Sequence, residues 1–456
     1  MITHIQAQNF KSWKDTGKLR LAPLTGLFGA NSSGKTSIMQ MLLMLKQTVE
    51  SPDRKQVLNT GDSRSLLDLG TFFDLIHGHQ QDVSLELSLS WDLPEPLRIN
   101  DPEKQTSQLY EIDKLSFATK IREESARAVV EIFVYEFNGQ NRFGMTRKNG
   151  SSKADKDRYD LITEGYNAKR VQGRVWPLPA PVKCYAFPDE AIGYFQNAGF
   201  LPDFVLSFEQ LFSRVAYLGP LREYPERRYV WAGDSPVDVG RNGELAVHAL
   251  LASRIQGPTI SFGRGKKKRT VEERIAEWLR DMGLIHSFSL EPIARNRKDY
   301  EVRLKKTPSS PDVLITDVGF GVSQILPVLV LCYYVPEGSI ILLEQPEIHL
   351  HPAVQASLAD VLIEVVKKRK VQIIVESHSE HLLRRLQRRI AEGTIQSDEI
   401  ALYFCRADHA ESRIEKLHID LLGNITNWPK DFFGDEMGEL LAMTEAAMRH
   451  RAVGQR

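Results

Sequence analysis

Little in this chain suits an oxidising compartment or a membrane. It has only three cysteines in 456 residues. Cys184, Cys332 and Cys405 lie far apart with no paired metal-ligand spacing, which argues against a disulfide scaffold and suits a reducing cytosol. Neither sign of charge is in excess: lysine plus arginine and aspartate plus glutamate both total 59. No global field therefore draws the chain to nucleic acid or to a lipid surface, and any such contact must come from local patches. Long apolar runs are missing too. The longest, Ile325 to Val335, contains Pro327 and falls short of the roughly 20 residues that a bilayer span requires. Met1-Ile2-Thr3-His4 has neither a basic n-region nor an apolar h-region, so no signal peptide is expected. No heptad run and no repeat of about 20–50 residues is visible. A soluble, cytoplasmic protein with no membrane attachment is the expectation, long enough for two or three domains.

What is present begins at Leu24. The stretch Leu24-Thr25-Gly26-Leu27-Phe28-Gly29-Ala30-Asn31-Ser32-Ser33-Gly34-Lys35-Thr36-Ser37 is an apolar strand, a glycine-bounded loop and a helix start. It fits G-x-x-x-x-G-K-[ST] without a gap. Gly29 and Gly34 free the loop from side-chain clashes, so the N–H groups of Asn31, Ser32, Ser33, Gly34 and Ser37 can converge on phosphate oxygens. Lys35 adds a point charge for the outer phosphates, and Thr36 offers a hydroxyl to Mg²⁺. The helix that follows aims its N-terminal dipole at the same anion. A nucleotide-binding chain is implied.

Downstream, Asp82–Trp91 alternates like a strand, and the Pro-rich, polar Glu95–Gln108 reads as a lobe boundary. Leu115–Arg122, Ala128–Phe137 and Arg142–Lys148 form a meander with a turn at Asn138-Gly139-Gln140-Asn141. Ser151–Arg158 is charged, and Ala191–Arg214 reads as one helix. Val215–Leu218 is a strand ending in Gly219-Pro220-Leu221-Arg222. Gly243–Ile255 and Thr270–Met282 are helical. From Asp312, strands (Val313–Val318, Ser339–Glu344, Val371–Glu376, Glu399–Phe404) alternate with helices (Ser323–Val335, Pro352–Lys368, Glu380–Glu392), the rhythm of a parallel, doubly wound sheet. The fold class expected is α/β, with mixed and parallel sheets flanked by helices and an inserted antiparallel-β and helical region.

Three stretches bear on the phosphate loop. Ser339-Ile340-Ile341-Leu342-Leu343-Glu344-Gln345-Pro346-Glu347 is a buried strand ending in acids, and a carboxylate there can hold Mg²⁺. Strands also end in acids simply on emerging into water. Val371 to Glu376 leads into Ser377-His378-Ser379, where His378 can meet a phosphate or a water, or be an ordinary satisfied polar group. In Asp317-Val318-Gly319-Phe320-Gly321-Val322-Ser323-Gln324, Gly321 and Ser323 can offer donors to a phosphate or simply cap a helix.

Taken in this order, with Asn9-Phe10-Lys11-Ser12 and Leu343-Glu344-Gln345-Pro346-Glu347-Ile348-His349-Leu350-His351-Pro352 as the specific parts, the chain resembles the ATP-binding-cassette ATPases. The likeness is greatest to the chromosome-maintenance and Rad50-like branch, and within it to the OLD-type and Septu-type ATPases of bacterial phage defence. It implies a P-loop head built from residues 1–95 and 216–420, an inserted lobe over 96–215 and a C-terminal extension over 421–456. It also implies ATP and Mg²⁺ as cofactors, with Lys35, Thr36 and Lys11 at the nucleotide, Thr36 and Glu344 as metal ligands and His378 as a switch histidine. Two heads would pair head to tail, each presenting Gly321 and Ser323 to the phosphate of the other.

Two departures stand out. The usual Asp-Glu pair, whose second member is the general base, is here Glu344-Gln345. An amide cannot take a proton, and loss of a general base costs about 10²–10⁴-fold. Either Glu347 serves instead or hydrolysis is slow, and slow hydrolysis is the expectation. The signature lacks a Ser-Gly-Gly run, which argues against a transporter ATPase. OLD-type proteins carry a nuclease domain after the ATPase, and the stretch after the last sheet strand is too short for one, so a separate effector protein is implied. The tail resembles an uncharacterised extension of predicted bacterial ATPases. In it Trp428, Phe432 and Phe433 are expected to anchor on the head, and Asp431, Asp435, Glu436 and Glu439 to be a solvated helix start. Basic runs at Lys266–Arg269, Lys367–Lys370 and Arg384–Arg389 can track nucleic acid or be solvated faces, the latter being expected. His349, His351 and His381 lack a clear metal-ligand partner set. A DNA-loading repair ATPase and an almost inert nucleotide-binding module are the competing functions.

Overall fold

The computed structural model describes residues 1–102, 108–148, 158–173, 176–261, 267–294, 297–408, 411–429, 432 and 443–444. Its centre is a six-stranded sheet in the order Val215–Leu218, Ile340–Glu344, Gln372–Glu376, Leu24–Gly29, Ile400–Asp408, Glu411–Lys416. The first five strands are parallel and the last is antiparallel. Ile340–Leu343 and Ile373–Val375 are fully buried apolar runs, as expected of strands covered on both faces. Successive residues serve opposite cores. Leu342 and Ile374 join one cluster, which includes the helix Lys35–Glu50. Ile341, Leu343, Ile373 and Val375 join the other, with the helices Ala246–Gln256, Val271–Asp281, Phe320–Tyr334, Pro352–Arg369 and Glu380–Ala391.

Against the first face lies an eight-stranded antiparallel sheet. Ile2–Phe10 pairs with Trp13–Asp15, Leu19–Arg20 and Leu85–Asn100, and the order continues through Gln108–Glu124, Arg127–Phe137, Asn141–Arg147 and Tyr159–Glu164. Aromatic side chains fill the layer beneath it, among them Phe117, Phe133, Tyr135, Phe204 and Phe208. A small third sheet joins Tyr229–Val230, Asp299–Lys305, Ser287–Pro292 and Val313–Leu314.

The architecture is α/β with mixed sheets flanked by helices. Several local expectations are corrected. Leu85–Asn100 runs through the boundary expected at residues 95 and 96, and the N-terminal strand shares a sheet with the residues beyond it. Pro94 and Pro96 sit where the ladder breaks between Asp92 and Leu97. A bulge can hold prolines that a regular ladder cannot, so here they mark an irregularity within one strand. The helix expected over Ala191–Arg214 is two, Asp189–Tyr194 and Leu201–Ser213. Val313–Val318 shortens to Val313–Leu314 with a 3-10 turn at Ile315–Asp317, and it pairs in the third sheet, not the parallel one. Of Ser151–Arg158, only Arg158 lies within the described residues.

Candidate nucleotide site

The phosphate-loop strand is buried throughout and ends at Gly29, whose φ of 140° is open to glycine alone. A Cβ there would meet the Cys405 carbonyl oxygen at 2.0 Å. Gly34 caps the following helix at φ 88°, and no side chain satisfies the helix's first N–H groups. Donors left without a side-chain cap, with the helix dipole behind them, are the groups an anion can use at a helix start. The loop is braced from below, where Trp13 donates its indole N–H to the Gly34 carbonyl at 3.0 Å.

Above the loop lies a cavity of about 360 Å³. Lys11, Asn31, Ser32, Ser33, Gly34, Lys35, Thr36, Ser37, Gln345 and His378 line it, all residues singled out in the sequence, together with Ser12, Gln40 and Glu376. Glu344, Glu347, Gly321 and Ser323 are not in its lining. Ser323 is buried, with its hydroxyl donated to Phe320 O at 2.8 Å in its own helix. Gly321 is half-buried with no atom nearer than Leu284 Cδ2 at 4.0 Å to a Cβ placed on it.

Lys35 is folded inward. Its ammonium donates to Ala30 O at 2.7 Å and Gly29 O at 3.1 Å and lies 3.8 Å from Glu376. Burial lowers its pKa, and the Glu376 charge opposes that. Thr36 donates to Glu376 Oε2 at 2.8 Å. Glu376 and Glu344 are register partners on adjacent strands. Burial raises both carboxyls: Glu376 moves upward, and Glu344, with Glu376 adding to the effect, is pushed up to about 7. Glu344 accepts from the Tyr217 hydroxyl at 3.0 Å. Gln345 sits in the left-handed region at φ 42° and donates its backbone N–H to Glu376 O at 2.9 Å. Its side-chain amide also bonds the Glu376 carboxylate.

Glu347 is buried, with Oε1 accepting from Ser377 Oγ and from His378 N, both at 2.7 Å. It braces the loop that carries His378. Burial raises its pKa as well. His378 is half-buried, its pKa lowered by burial and then by Lys35, and its Nε2 has no hydrogen-bond partner among the described residues.

The donors suit a hard cation. Thr36 Oγ1 and the carboxylates of Glu376 and Glu344 are all oxygens, and Mg²⁺ binds through one or two carboxylates plus phosphate oxygens rather than an all-protein cage. Among the described residues no group of three or more His, Cys, Asp or Glu side chains could hold a metal. Glu376 and Tyr217 were not singled out in the sequence. Glu376 is the second buried strand-end acid and lies one strand nearer the loop than Glu344, which is the signal that could have found it.

Residues 266–383 match an AAA ATPase domain. That segment holds Ser323, Glu344 and His378 and begins after the phosphate loop. Residues 395–443 match a family described as protein of unknown function (DUF3696). No curated protein matches the chain. Solved structures similar to it include an SMC head domain from Thermotoga maritima (11% identity, 92% of this chain and 99% of that one, TM-score 0.41). Others are an Smc head domain with an extended coiled coil bound to the C-terminal domain of ScpA, derived from Pyrococcus furiosus (10%, 91% and 96%, 0.45), and an SmcHead bound to the C-winged helix domain of ScpA (12%, 92% and 98%, 0.44).

In and around the matched segment the basic runs are largely neutralised. Arg384 pairs with Glu380, Arg385 with Asp360, Arg388 with Glu392, and Arg389 with both Asp360 and Glu392. Lys367 pairs with Glu399, Lys267 with Glu273 and Arg269 with Glu277. Lys266 lies outside the described residues. In the tail, Phe432 is buried against Phe404 at 4.7 Å and Phe28 of the phosphate-loop strand at 6.3 Å, while Trp428 stacks under Arg384. Phe433, Asp431, Asp435, Glu436 and Glu439 lie outside the described residues. Among those described, no helix is long and apolar enough to cross a membrane.

Proposed function

We propose that the chain is an ATP-gated dimerisation switch of the ATP-binding-cassette type. It binds Mg-ATP, hydrolyses it slowly, pairs head to tail with a second copy and passes its state to a separate effector protein. The observation that carries this reading is the make-up of one cavity: a phosphate loop with free helix N–H groups, Lys35, Thr36 on Glu376, and an amide, Gln345, beside them.

Lys35 exchanges the carbonyls of Gly29 and Ala30 for phosphate oxygens. Thr36 and Glu344, with Glu376, hold Mg²⁺, which when bound neutralises charge on the outer phosphates. Gln345 can orient a water but cannot accept its proton, so turnover is slow. His378 offers a free ring nitrogen at the cavity wall. Lys11 approaches the nucleotide from the facing sheet. Gly321 and Ser323, outside the cavity of their own chain, serve the phosphate of the second copy. The defence role rests on the likeness of the motifs to OLD-type and Septu-type ATPases. The paired arginines of Glu380–Ala391 favour this reading over direct DNA loading. Sedimentation velocity with and without Mg-ATP tests it: a shift from monomer to dimer is expected, and no nucleotide effect would overturn it.

A further inference from the structure

The loop after the edge strand Val215–Leu218 holds a charge that has nothing to bind. Arg222 is 8% exposed, and none of its three guanidinium nitrogens has a hydrogen-bond partner among the described residues. The loop is pinned at both ends, with Gly219 N donating to Arg241 O and Glu223 N to Asn242 O, each at 2.8 Å. Its neighbours face outward: Leu221 is 75% and Tyr224 74% exposed. Arg222 alone is turned in. Burial pulls its pKa down to about 10, which leaves it cationic at neutral pH.

A buried cation without an acceptor is strongly unfavourable, so its retention points to an anion that arrives. The nearby acids do not fill the role. Glu344 and Glu347 bear on Arg222 through charge, yet Glu344 takes its hydrogen bond from Tyr217, and Glu347 takes its own from Ser377 and His378. In an open parallel sheet, ligands lie outside the carboxyl ends of the strands. Here four consecutive ends carry, in order, the Arg222 loop, Glu344, Glu376 and the phosphate loop with Lys35. Two cations bracket two acids along one crest.

We propose that Arg222 reads the terminal phosphate of the bound nucleotide, its guanidinium donating to γ-phosphate oxygens so that the site separates ATP from ADP. This rests on the ATP reading above. Lys35 serves the outer phosphates, of which ADP keeps the β-phosphate, so its loss weakens both nucleotides. Arg222 serves only the γ-phosphate, which ADP lacks, with a planar fork suited to two phosphate oxygens.

Calorimetric titration with ADP and with a non-hydrolysable ATP analogue, both with Mg²⁺, tests the assignment. Arg222→Met is expected to weaken the ATP analogue about 10- to 100-fold and to leave ADP within about twofold. Arg222→Lys, which keeps charge without the fork, should fall between. Equal weakening of both nucleotides, or of neither, overturns the proposal, as does a wild type that binds the two equally. Should Arg222→Met fail to fold, an Arg222→Lys variant with the wild-type ATP-to-ADP ratio also overturns it. Lys35→Ala reports on the underlying reading separately. It should lose both nucleotides, and a wild type that binds neither removes the ATP reading itself.

Discussion

Thr36 donates its hydroxyl to Glu376 across 2.8 Å, joining residues 340 positions apart in the chain. Lys35 is likewise held, on the carbonyls of Gly29 and Ala30. Binding must therefore exchange these contacts for phosphate oxygens, and the exchange depends on the lysine. Lys35→Ala is expected to weaken ATP by at least about 100-fold, since charge-assisted bonds to phosphate exceed the neutral bonds they replace. Titration calorimetry reads this directly. Near-wild-type affinity would place the nucleotide elsewhere.

Gln345 lines the cavity beside Glu376 and His378. If its amide is what slows turnover, restoring a carboxylate should speed it. Gln345→Glu is expected to raise phosphate release by about 10- to 100-fold, within the range of one general base. Glu347→Gln tests the competing assignment. Glu347 accepts from His378 N and Ser377, so the amide should mainly loosen that loop. A collapse of turnover in Glu347→Gln, with no gain in Gln345→Glu, would move the base to Glu347.

Glu344 gives a pH dependence of stability whose sign is fixed by its shift. Burial and Glu376 raise its folded-state pKa to about 7, above the ordinary 4.5, so the folded, nucleotide-free protein holds this proton more tightly than the unfolded chain. The resulting stability is complete below about pH 4.5 and is lost as pH rises through about 7. Glu344→Gln never ionises and keeps an acceptor for Tyr217. It is expected to match wild type near pH 5 and to exceed it near pH 8 by on the order of 2–3 kcal/mol. Denaturant unfolding at both pH values measures the gap, and a difference that does not change with pH would contradict it.

How much is legible in the sequence follows from where each signal lies. The phosphate loop and the strand Ile340–Glu344 are short local patterns, and the sheet sets their strands one apart, with Gln372–Glu376 between them. Glu376 is easily missed because His378, two residues on, carries the more conspicuous chemistry. Arg222 is hidden because Gly219-Pro220-Leu221-Arg222 looks like a polar turn, and only the tertiary structure turns the arginine inward. The boundary at residues 95 and 96 misleads because Pro94 and Pro96 look like a linker unless a partner strand is known to bulge around them.

The proposed head-to-tail pairing is open to a cleaner test than substitution of its serine. Ser323 is 7% exposed and bonded within its own helix, so an arginine there would disturb the fold and confound the readout. Gly321 has room, with only Leu284 at 4.0 Å from the place a methyl group would take. Gly321 is in the first turn of its helix, where the propensity gained by losing a glycine and the cost of a cation against the helix dipole are each up to about 1 kcal/mol and offset one another. Gly321→Arg is therefore expected to leave the melting temperature nearly unchanged while abolishing dimers formed with Mg-ATP in sedimentation velocity. Its own phosphate loop is untouched, so ATP affinity of the monomer should stay within about threefold, the scatter expected of a distant site. Dimers that persist in this variant would show that the helix Phe320–Tyr334 does not face the second copy.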